Sequence, residues 1–318
     1  MALFKDINPK LKVNNDTGFG INASDYGGRF INKDGTFNTR KEGISFLEKF
    51  SIYYFMMNLP RWKFIGIIVV SFLVVNIIYA AIYMFIGASE LTGMIAQTPW
   101  DKFKEAFFFS TETFTTVGYG RVNPIGDGAN LVASFEAMHG FLSFAIATGL
   151  IFGRFSKPGA FLKFSDYALI SPYRGKTGLM FRFASYKEKH TLTSVEIRVN
   201  VGLQVLENDN VIYKYYDLDL ERSKVESLPM NWTVVHPIDD KSPFYGFTHE
   251  DMKSADVEIY VLIRGFDDVY SANVQQRTSY TFNEILFGQK FVPMYRESDN
   301  GKTTILEMNK LNTALPIS

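Results

Sequence analysis

Two long apolar segments, residues 64–86 and 131–155, constrain the fold of this chain more than any other feature of its sequence. A helix of about 20 apolar residues crosses a hydrocarbon core of about 30 Å, so each segment is long enough to span a bilayer. Between them lies Thr-Thr-Val-Gly-Tyr-Gly, at residues 115–120. Non-helical backbone is tolerated at membrane depth only where it is buried in protein or lines a water-filled cavity. The sequence therefore predicts a membrane domain, residues 61–156, with a re-entrant loop between two spanning helices.

Residues 116–120 suit the binding of a dehydrated cation. Gly118 and Gly120 stand at alternate positions, and glycine accepts positive φ at no steric cost, so successive carbonyl groups can turn toward one axis. Thr116 can add a hydroxyl oxygen. Rings of carbonyl oxygens from four such loops replace the hydration shell of K⁺, which requires a homotetramer. The predicted K⁺ ligands are Thr116, Val117, Gly118 and Tyr119. The alternative is a chance Gly-Tyr-Gly turn, and the flanking spans argue against it.

The segments around the filter complete a pore domain. Residues 100–115 are rich in aromatic side chains but too short to span, which predicts a re-entrant pore helix whose C-terminal end directs partial negative charge at the cation. Glu136, His139 and Ser143 interrupt the second span, and they are expected to face protein or the pore because facing lipid is costly. His139 is either a packed neutral side chain or a group that makes gating sensitive to pH.

The N-terminal part is expected to lie on the cytoplasmic side. Residues 1–43 are predicted to be an arm with a short strand and an Asp-Gly turn in residues 29–38. Residues 44–60 have apolar residues near a helical period, which predicts a helix along the membrane surface, or alternatively an amphipathic helix on a soluble core. Basic residues beside the spans place both termini in the cytoplasm of a multi-pass protein of the plasma or inner membrane. They are Arg40, Lys41, Arg61, Lys63, Arg154 and Lys157.

Residues 157–318 alternate polar and apolar side chains in short runs separated by turn residues such as 207–210, which predicts a β-sandwich domain. The chain has no cysteine, so disulfides and thiolate metal sites are excluded. It carries 33 basic and 33 acidic residues without a basic cluster, which argues against nucleic acid as a partner. We find no catalytic constellation, and we expect neither enzymatic activity nor a cofactor, only K⁺ as the permeant ion.

Two stretches of the C-terminal half carry a family resemblance. Residues 231–246, Asn-Trp-Thr-Val-Val-His-Pro-Ile-Asp-Asp-Lys-Ser-Pro-Phe-Tyr-Gly, and residues 265–291 resemble inward-rectifier potassium channels, in particular the prokaryotic branch. The resemblance runs from about residue 29 to residue 291. It implies a tetramer with two transmembrane helices and a pore helix per chain, followed by an all-β immunoglobulin-like cytoplasmic sandwich that extends the pore.

The resemblance also implies roles for single residues of the pore. Phe152 corresponds to the gate residue at the inner-helix bundle crossing, or alternatively packs between helices. Gly140 corresponds to a hinge, with packing as its alternative, and Gly149 relaxes packing beside the gate. The expected filter supports are Glu112, Thr115 and Arg121. Because Arg121 stands one place earlier than the arginine of the eukaryotic pattern, its pairing with Glu112 is left open.

Basic residues at the predicted junction between membrane and cytosol match positions that bind anionic phospholipids in this family. Each contributes about 1 kcal/mol near an anionic surface, although simple anchoring of the topology explains them as well. They are Arg61, Lys63, Arg154 and Lys157. The residues themselves do not indicate whether lipid opens or closes the pore.

The chain departs from strong rectifiers at the positions that trap polyamines. Phe144 replaces the acidic residue of the cavity, and Arg264 replaces a second acidic residue before the apical-loop glycine. Glu136 is the only candidate for a substitute cavity charge. The predicted cytoplasmic-pore residues are Glu196, Asp267 and Asp268. We therefore expect weak block by polyamines or Mg²⁺. The rival hypotheses are a poorly selective cation channel and a membrane-anchored β-sandwich scaffold.

Overall fold

A computed structural model describes Val13, residues 29–45, Glu48, and residues 50–188, 190–207 and 210–317. The chain forms two compact units, Glu42–Lys157 and Met1–Lys41 with Pro158–Ser318. Most of the predicted N-terminal arm and parts of the segment 44–60 and of the turn 207–210 lie outside the described residues.

The first unit is helical. Its helices are α1 (Ile52–Asn58), α2 (Arg61–Ile86), α3 (Pro99–Phe114) and α4 (Asp127–Phe155). Within the described residues, α2 and α4 are the two helices long and apolar enough to cross a membrane. Helix α2 begins three residues before the predicted start and α4 four residues before it. Within the predicted surface segment 44–60, the described residues form the seven-residue helix α1, with Ser51 as its N-cap.

Local capping sets the ends of the pore helix. The Thr98 hydroxyl accepts a hydrogen bond from the backbone N–H of Asp101 at 3.2 Å, and Pro99 occupies the first turn, where its missing N–H costs nothing. Strands β1 (Leu91–Thr92) and β2 (Asn123–Pro124) pair antiparallel and join the two ends of the pore loop. They hold the loop as a closed segment between α2 and α4.

The second unit is a sandwich of two five-stranded sheets. The core between them is apolar, with Ile197, Val199, Val261 and Ile263 buried from one side and Leu179, Phe181 and Phe183 from the other. The predicted architecture of two spanning helices followed by an all-β domain is confirmed.

The strands of the sandwich are bounded as follows. They are β3 (Leu162–Phe164), β4 (Ala168–Tyr173), β5 (Lys176–Ser185), β6 (Leu192–Glu207), β7 (Asn210–Asp217), β8 (Lys224–Ser227), β9 (Trp232–Ile238), β10 (Glu258–Asp267), β11 (Ala272–Thr281) and β12 (Ile285–Phe287). In the first sheet the strand order is β11-β10-β6-β7, with β8 also beside β6, and in the second it is β12-β4-β5-β3, with β9 beside β5. Helix α5 (His249–Ser254) precedes β10, and the small pairs β13 (Gln289–Phe291) with β16 (Ala314–Pro316) and β14 (Tyr295–Glu297) with β15 (Thr304–Leu306) follow.

Residues 29–38 form a short turn on the sandwich. Ile31 bridges Phe37, and Gly35 has φ of +85°, as the predicted Asp-Gly turn requires. The buried carboxylate of Glu258 accepts hydrogen bonds from the backbone N–H groups of Phe30 at 2.9 Å and Ile31 at 3.2 Å. Burial raises the pKa of Glu258 above its ordinary value, although these bonds favour the charged form. The segment is therefore attached to the start of β10 by polar contacts.

Candidate functional site

The backbone of the pore loop alternates in handedness. Thr116, Gly118 and Gly120 have φ of +60°, +54° and +81°, whereas Val117 and Tyr119 between them do not lie in this region. Glycine adopts this region without cost, but a side chain makes it strained, by about 1–3 kcal/mol. The strain at Thr116 is a feature that sequence reasoning missed. Alternation of this kind turns successive carbonyl groups toward the same side.

The end of the pore helix holds the start of the loop. The N–H of Thr116 donates to the carbonyl of Thr113 at 3.1 Å, and the N–H groups of Val117 and Gly118 both donate to that of Glu112, at 2.9 and 3.3 Å. At the other end the Asn123 amide donates to the Gly120 carbonyl at 2.7 Å. No described residue donates to the carbonyls of residues 116–119. Their oxygens are therefore available to a cation.

The predicted filter supports act differently from one another. Glu112 contributes its backbone carbonyl, and the Thr115 hydroxyl donates to the carbonyl of Thr111 at 2.6 Å. Arg121 pairs with Glu105, Nη1 to Oε1 at 3.1 Å, and not with Glu112 within the chain. Within a single chain, the partner of Arg121 is therefore Glu105 and not Glu112.

A fully buried polar cluster ties the pore helix to both spanning helices. Ser110 on α3 lies 2.9 Å from the Asn76 amide oxygen on α2 and hydrogen-bonds to Glu136 on α4. The Tyr83 hydroxyl donates to the other carboxyl oxygen of Glu136 at 2.6 Å. Glu136 is 0% exposed. Burial within one chain argues against Glu136 as the substitute charge of the ion cavity, because a side chain enclosed there cannot line an axial cavity.

Asn76 and Ser110 were missed by sequence reasoning. The signal was present, because a polar side chain inside an apolar span is expected to have a partner in the protein. His139 follows the same rule: its Nδ1 lies 3.2 Å from the Tyr79 hydroxyl, and its ring packs on Phe114 with centroids 5.5 Å apart. These contacts bear on the packed alternative for His139, although its side chain is exposed in the single chain.

The glycines of α4 have different surroundings. A Cβ at Gly140 would lie 1.9 Å from the backbone oxygen of Phe114, at the end of the pore helix. The contact gives Gly140 a packing role, the alternative to a hinge. A Cβ at Gly149 would meet no atom within 4 Å, and one at Gly153 would lie 3.2 Å from the Tyr53 hydroxyl. The space beside Gly149 is therefore open in the single chain.

The proposed gate and cavity residues are free in the single chain. Phe144 is 76% exposed and Phe152 is 71% exposed. Phe144 also lines a cavity of about 540 Å³ in the helical unit, together with Ser143, Thr115 and Thr116. Both phenylalanine side chains are therefore largely unpacked within the single chain.

The predicted lipid-binding residues divide into two groups. Arg154 donates to the Met56 carbonyl at 3.1 Å and to that of Leu59, and its guanidinium lies 4.9 Å from the Phe64 ring. It therefore caps the end of α1 instead of presenting a free charge. Arg61, Lys63 and Lys157 are exposed, and Lys157 Nζ lies 3.5 Å from Asn58 Oδ1.

The predicted cytoplasmic-pore carboxylates are also unlike one another. Asp267 is 0% exposed and accepts from the N–H groups of Val269 and Tyr270 at 2.9 and 3.3 Å, while His190 Nε2 lies 3.1 Å from its carboxylate. Burial opposes its charge, but His190 and the two N–H groups hold the pKa of Asp267 below its usual value. These contacts put the carboxylate of Asp267 inside the turn, which argues against its predicted pore-facing role. Asp268 is exposed and accepts from the Thr193 hydroxyl at 3.2 Å, and Glu196 lies on the outer side of β6.

Comparisons with known proteins cover both units. Residues 162–317 match the inward rectifier potassium channel C-terminal domain, and residues 67–157 match the ion channel family. The chain is 33% identical over 278 residues to inward rectifier potassium channel Kirbac3.1 of Paramagnetospirillum magnetotacticum, which covers 87% of this chain and 92% of that protein.

More distant matches span less. G protein-activated inward rectifier potassium channel 1 of Bos taurus is 33% identical over 203 residues, 60% of this chain and 40% of that protein's length. The solved structure of Spo0M, a sporulation control protein from Bacillus subtilis, overlaps 41% of this chain and 50% of its own at a TM-score of 0.24 and 9% identity. That likeness carries no structural argument.

Proposed function

The chain belongs to the inward rectifier potassium channel family, and we propose that four copies of it form a K⁺-selective channel in the membrane. The observation that carries this proposal is the positive φ at every second residue, Thr116, Gly118 and Gly120. No described residue donates a hydrogen bond to the carbonyl groups of residues 116–119. Four such loops around one axis offer rings of oxygens at the spacing that replaces the hydration of K⁺. The Thr116 hydroxyl adds the innermost ring.

Opening and closing are assigned to the inner helix, α4. Four copies of Phe152 on the axis would form an apolar constriction that excludes water and ions until the helices move apart. Gly149 is proposed to relax the packing of α4 beside this constriction, and a Cβ at this position would meet no atom within 4 Å. The exposed cations Arg61, Lys63 and Lys157 are proposed to meet anionic phospholipid headgroups at the cytoplasmic surface, with both chain termini on that side.

Cation flux into liposomes tests the proposal. Purified protein in liposomes should take up Rb⁺ but not Na⁺, and Ba²⁺ should block the uptake. Gly118→Ala should abolish this selectivity because alanine is strained at φ of +54°. Gly66→Ala is the matched control, because Gly66 lies in α2 and a Cβ there meets nothing within 4 Å.

Equal uptake of Rb⁺ and Na⁺ would favour a poorly selective cation channel. Well-folded tetramers without Ba²⁺-sensitive flux would favour a membrane-anchored scaffold.

Block by polyamines is expected to be weak. Phe144 places an apolar ring where a charge trap would need a carboxylate, and neither Glu136 nor Asp267 is free to supply one. Cytosolic spermine should therefore reduce outward current only slightly, and Phe144→Asp should produce steep voltage-dependent block while Phe144→Asn should not. Strong block of the unmodified channel that survives joint neutralisation of Glu196, Asp267 and Asp268 would contradict this expectation.

A further inference from the structure

The outer face of the first β-sheet has an unusual distribution of charge. Side chains alternate across a strand, so the buried residues Ile197 on β6 and Ile263 on β10 point into the sandwich. Arg198 and Arg264, the residues that follow them, point to the other side and are exposed. On β11, Arg277 lies on this same outer side.

The strand register brings these three arginines around one apolar side chain. Leu262 is paired with Arg198 on one neighbouring strand and with Arg277 on the other. Arg264 follows Leu262 by two residues on the same strand, so it lies diagonal to both. Diagonal neighbours of this kind are about 7–8 Å apart, and residues two strands apart are about 10 Å apart. We call Arg198, Arg264 and Arg277 the basic triangle.

Few carboxylates oppose the basic triangle. Glu196 is paired with Arg264 in the register, and its carboxylate lies 3.6 Å from Arg198 Nε and 3.9 Å from Lys224 Nζ. Among the described residues, Arg264 has no carboxylate within 4 Å, and Arg277 is positioned by the Phe37 ring, 5.4 Å from its guanidinium.

Other acidic side chains of this side of the sheet stand at strand ends. Among the described residues they are Asp217, Glu226, Glu258 and Asp268; Glu258 already accepts from the backbone N–H groups of Phe30 and Ile31, and Asp268 is hydrogen-bonded to Thr193. Away from the strand ends, Glu196 is thus the one described carboxylate beside the basic triangle and Lys224.

We propose that the basic triangle binds a multivalent phosphate anion, such as the polyphosphate chain of a nucleotide. A guanidinium matches phosphate oxygens with two parallel hydrogen bonds, which makes arginine better suited than lysine to such a ligand. The three arginines leave the sheet at positions about 7–10 Å apart, a span along which linked phosphates present several anionic oxygens whereas a single carboxylate presents only two. The proposal concerns binding to the sandwich and does not depend on ion conduction.

Calorimetric titration tests the proposal. Inorganic tripolyphosphate is titrated into the full-length protein in an uncharged detergent at low ionic strength without divalent cations. We expect saturable binding that Arg264→Gln weakens at least tenfold and that Glu196→Gln tightens. Arg264→Lys, which keeps the charge but loses the planar fork, should fall between the unmodified protein and Arg264→Gln.

Arg174→Gln is the matched control. Arg174 is equally cationic and exposed but lies in the turn between β4 and β5, paired with Glu221 at 2.8 Å. The affinity of the Arg174→Gln variant for tripolyphosphate should stay within twofold of that of the unmodified protein. If Arg174→Gln weakens binding as much as Arg264→Gln, the effect is one of net charge and the proposal is overturned. Absence of saturable binding also overturns it. If Arg264→Gln does not assemble, the other two variants decide. The proposal is overturned if both Arg264→Lys and Glu196→Gln bind tripolyphosphate with the affinity of the unmodified protein.

Discussion

At the scale of single residues, the buried cluster behind the pore helix has a definite hydrogen count. Ser110 has one hydroxyl proton but faces two acceptors, Asn76 Oδ1 and Glu136 Oε1. The Asn76 amide nitrogen already donates to the Phe72 carbonyl, and Tyr83 donates to the second oxygen of Glu136. Every group is satisfied when Glu136 carries a proton on Oε1 and donates to Ser110, which then donates to Asn76. Glu136 therefore acts as a neutral hydrogen-bonding group.

This count predicts opposite outcomes for two substitutions. Glu136→Gln keeps one donor and one acceptor in the same place, so the tetramer should keep its thermal midpoint and its Rb⁺ flux. Glu136→Leu leaves the hydroxyl groups of Ser110 and Tyr83 buried without this partner, at about 1–3 kcal/mol each. It should lower the midpoint and the selective flux. Equal damage from both variants would show that a charge is required at this position.

Residue types predicted the filter better than they predicted its surroundings. The spacing of Gly118 and Gly120 was enough to propose the loop conformation, because few residues other than glycine adopt positive φ. The burial of Asp267 and Glu136 depends on the side chains packed around them, and the local sequence does not show which side chains these are. An acidic residue near a loop glycine can face water or close a turn, and only tertiary contacts decide between these.

At the scale of elements, Arg182 on β5 holds the C-terminal strands to the sandwich. It is 1% exposed, and its guanidinium lies 4.3 Å from the Phe291 ring. Burial lowers its pKa to about 10, so it remains charged at neutral pH. Its partners are the backbone carbonyls of Val292 at 2.6 Å, Leu311 at 2.7 Å, Thr313 at 3.2 Å and Lys310.

Arg182→Met is expected to release the segment of residues 289–316. The four carbonyls lose a buried donor, and each unsatisfied group costs about 1–3 kcal/mol. Hydrogen exchange of the full-length protein should show loss of protection in residues 308–316. Arg174→Met, which changes an exposed arginine, should leave exchange there unchanged. Unaltered protection in Arg182→Met would mean that the small β13–β16 and β14–β15 sheets are stable without this tether.

Element boundaries were less accessible to prediction than element types. Hydropathy located both spanning segments, but α4 starts at Asp127, four residues before the predicted start. Acidic and small residues are favourable at a helix N-terminus, whereas a count of apolar residues excludes them from the predicted segment. The alternating pattern predicted a sandwich, whereas the order of its strands arises from pairings such as β6 with β10, which are distant in sequence.

At the scale of the whole molecule, a single chain holds only part of the proposed ion pathway. Tyr119 is 81% exposed and Phe152 is 71% exposed, as expected for side chains that complete their packing against other copies. A family relative that matches 87% of the chain supports channel function for the full sequence. Selectivity is the property that only the assembled filter can provide.

The reversal potential of purified channels in a planar bilayer tests that claim most directly. With a tenfold K⁺ gradient, and Na⁺ replacing K⁺ on the dilute side, a filter of dehydrating carbonyl rings should give a reversal potential close to the K⁺ equilibrium value, about 59 mV in magnitude for a monovalent ion. A reversal potential near zero would show that Na⁺ passes as readily as K⁺ and would contradict the account.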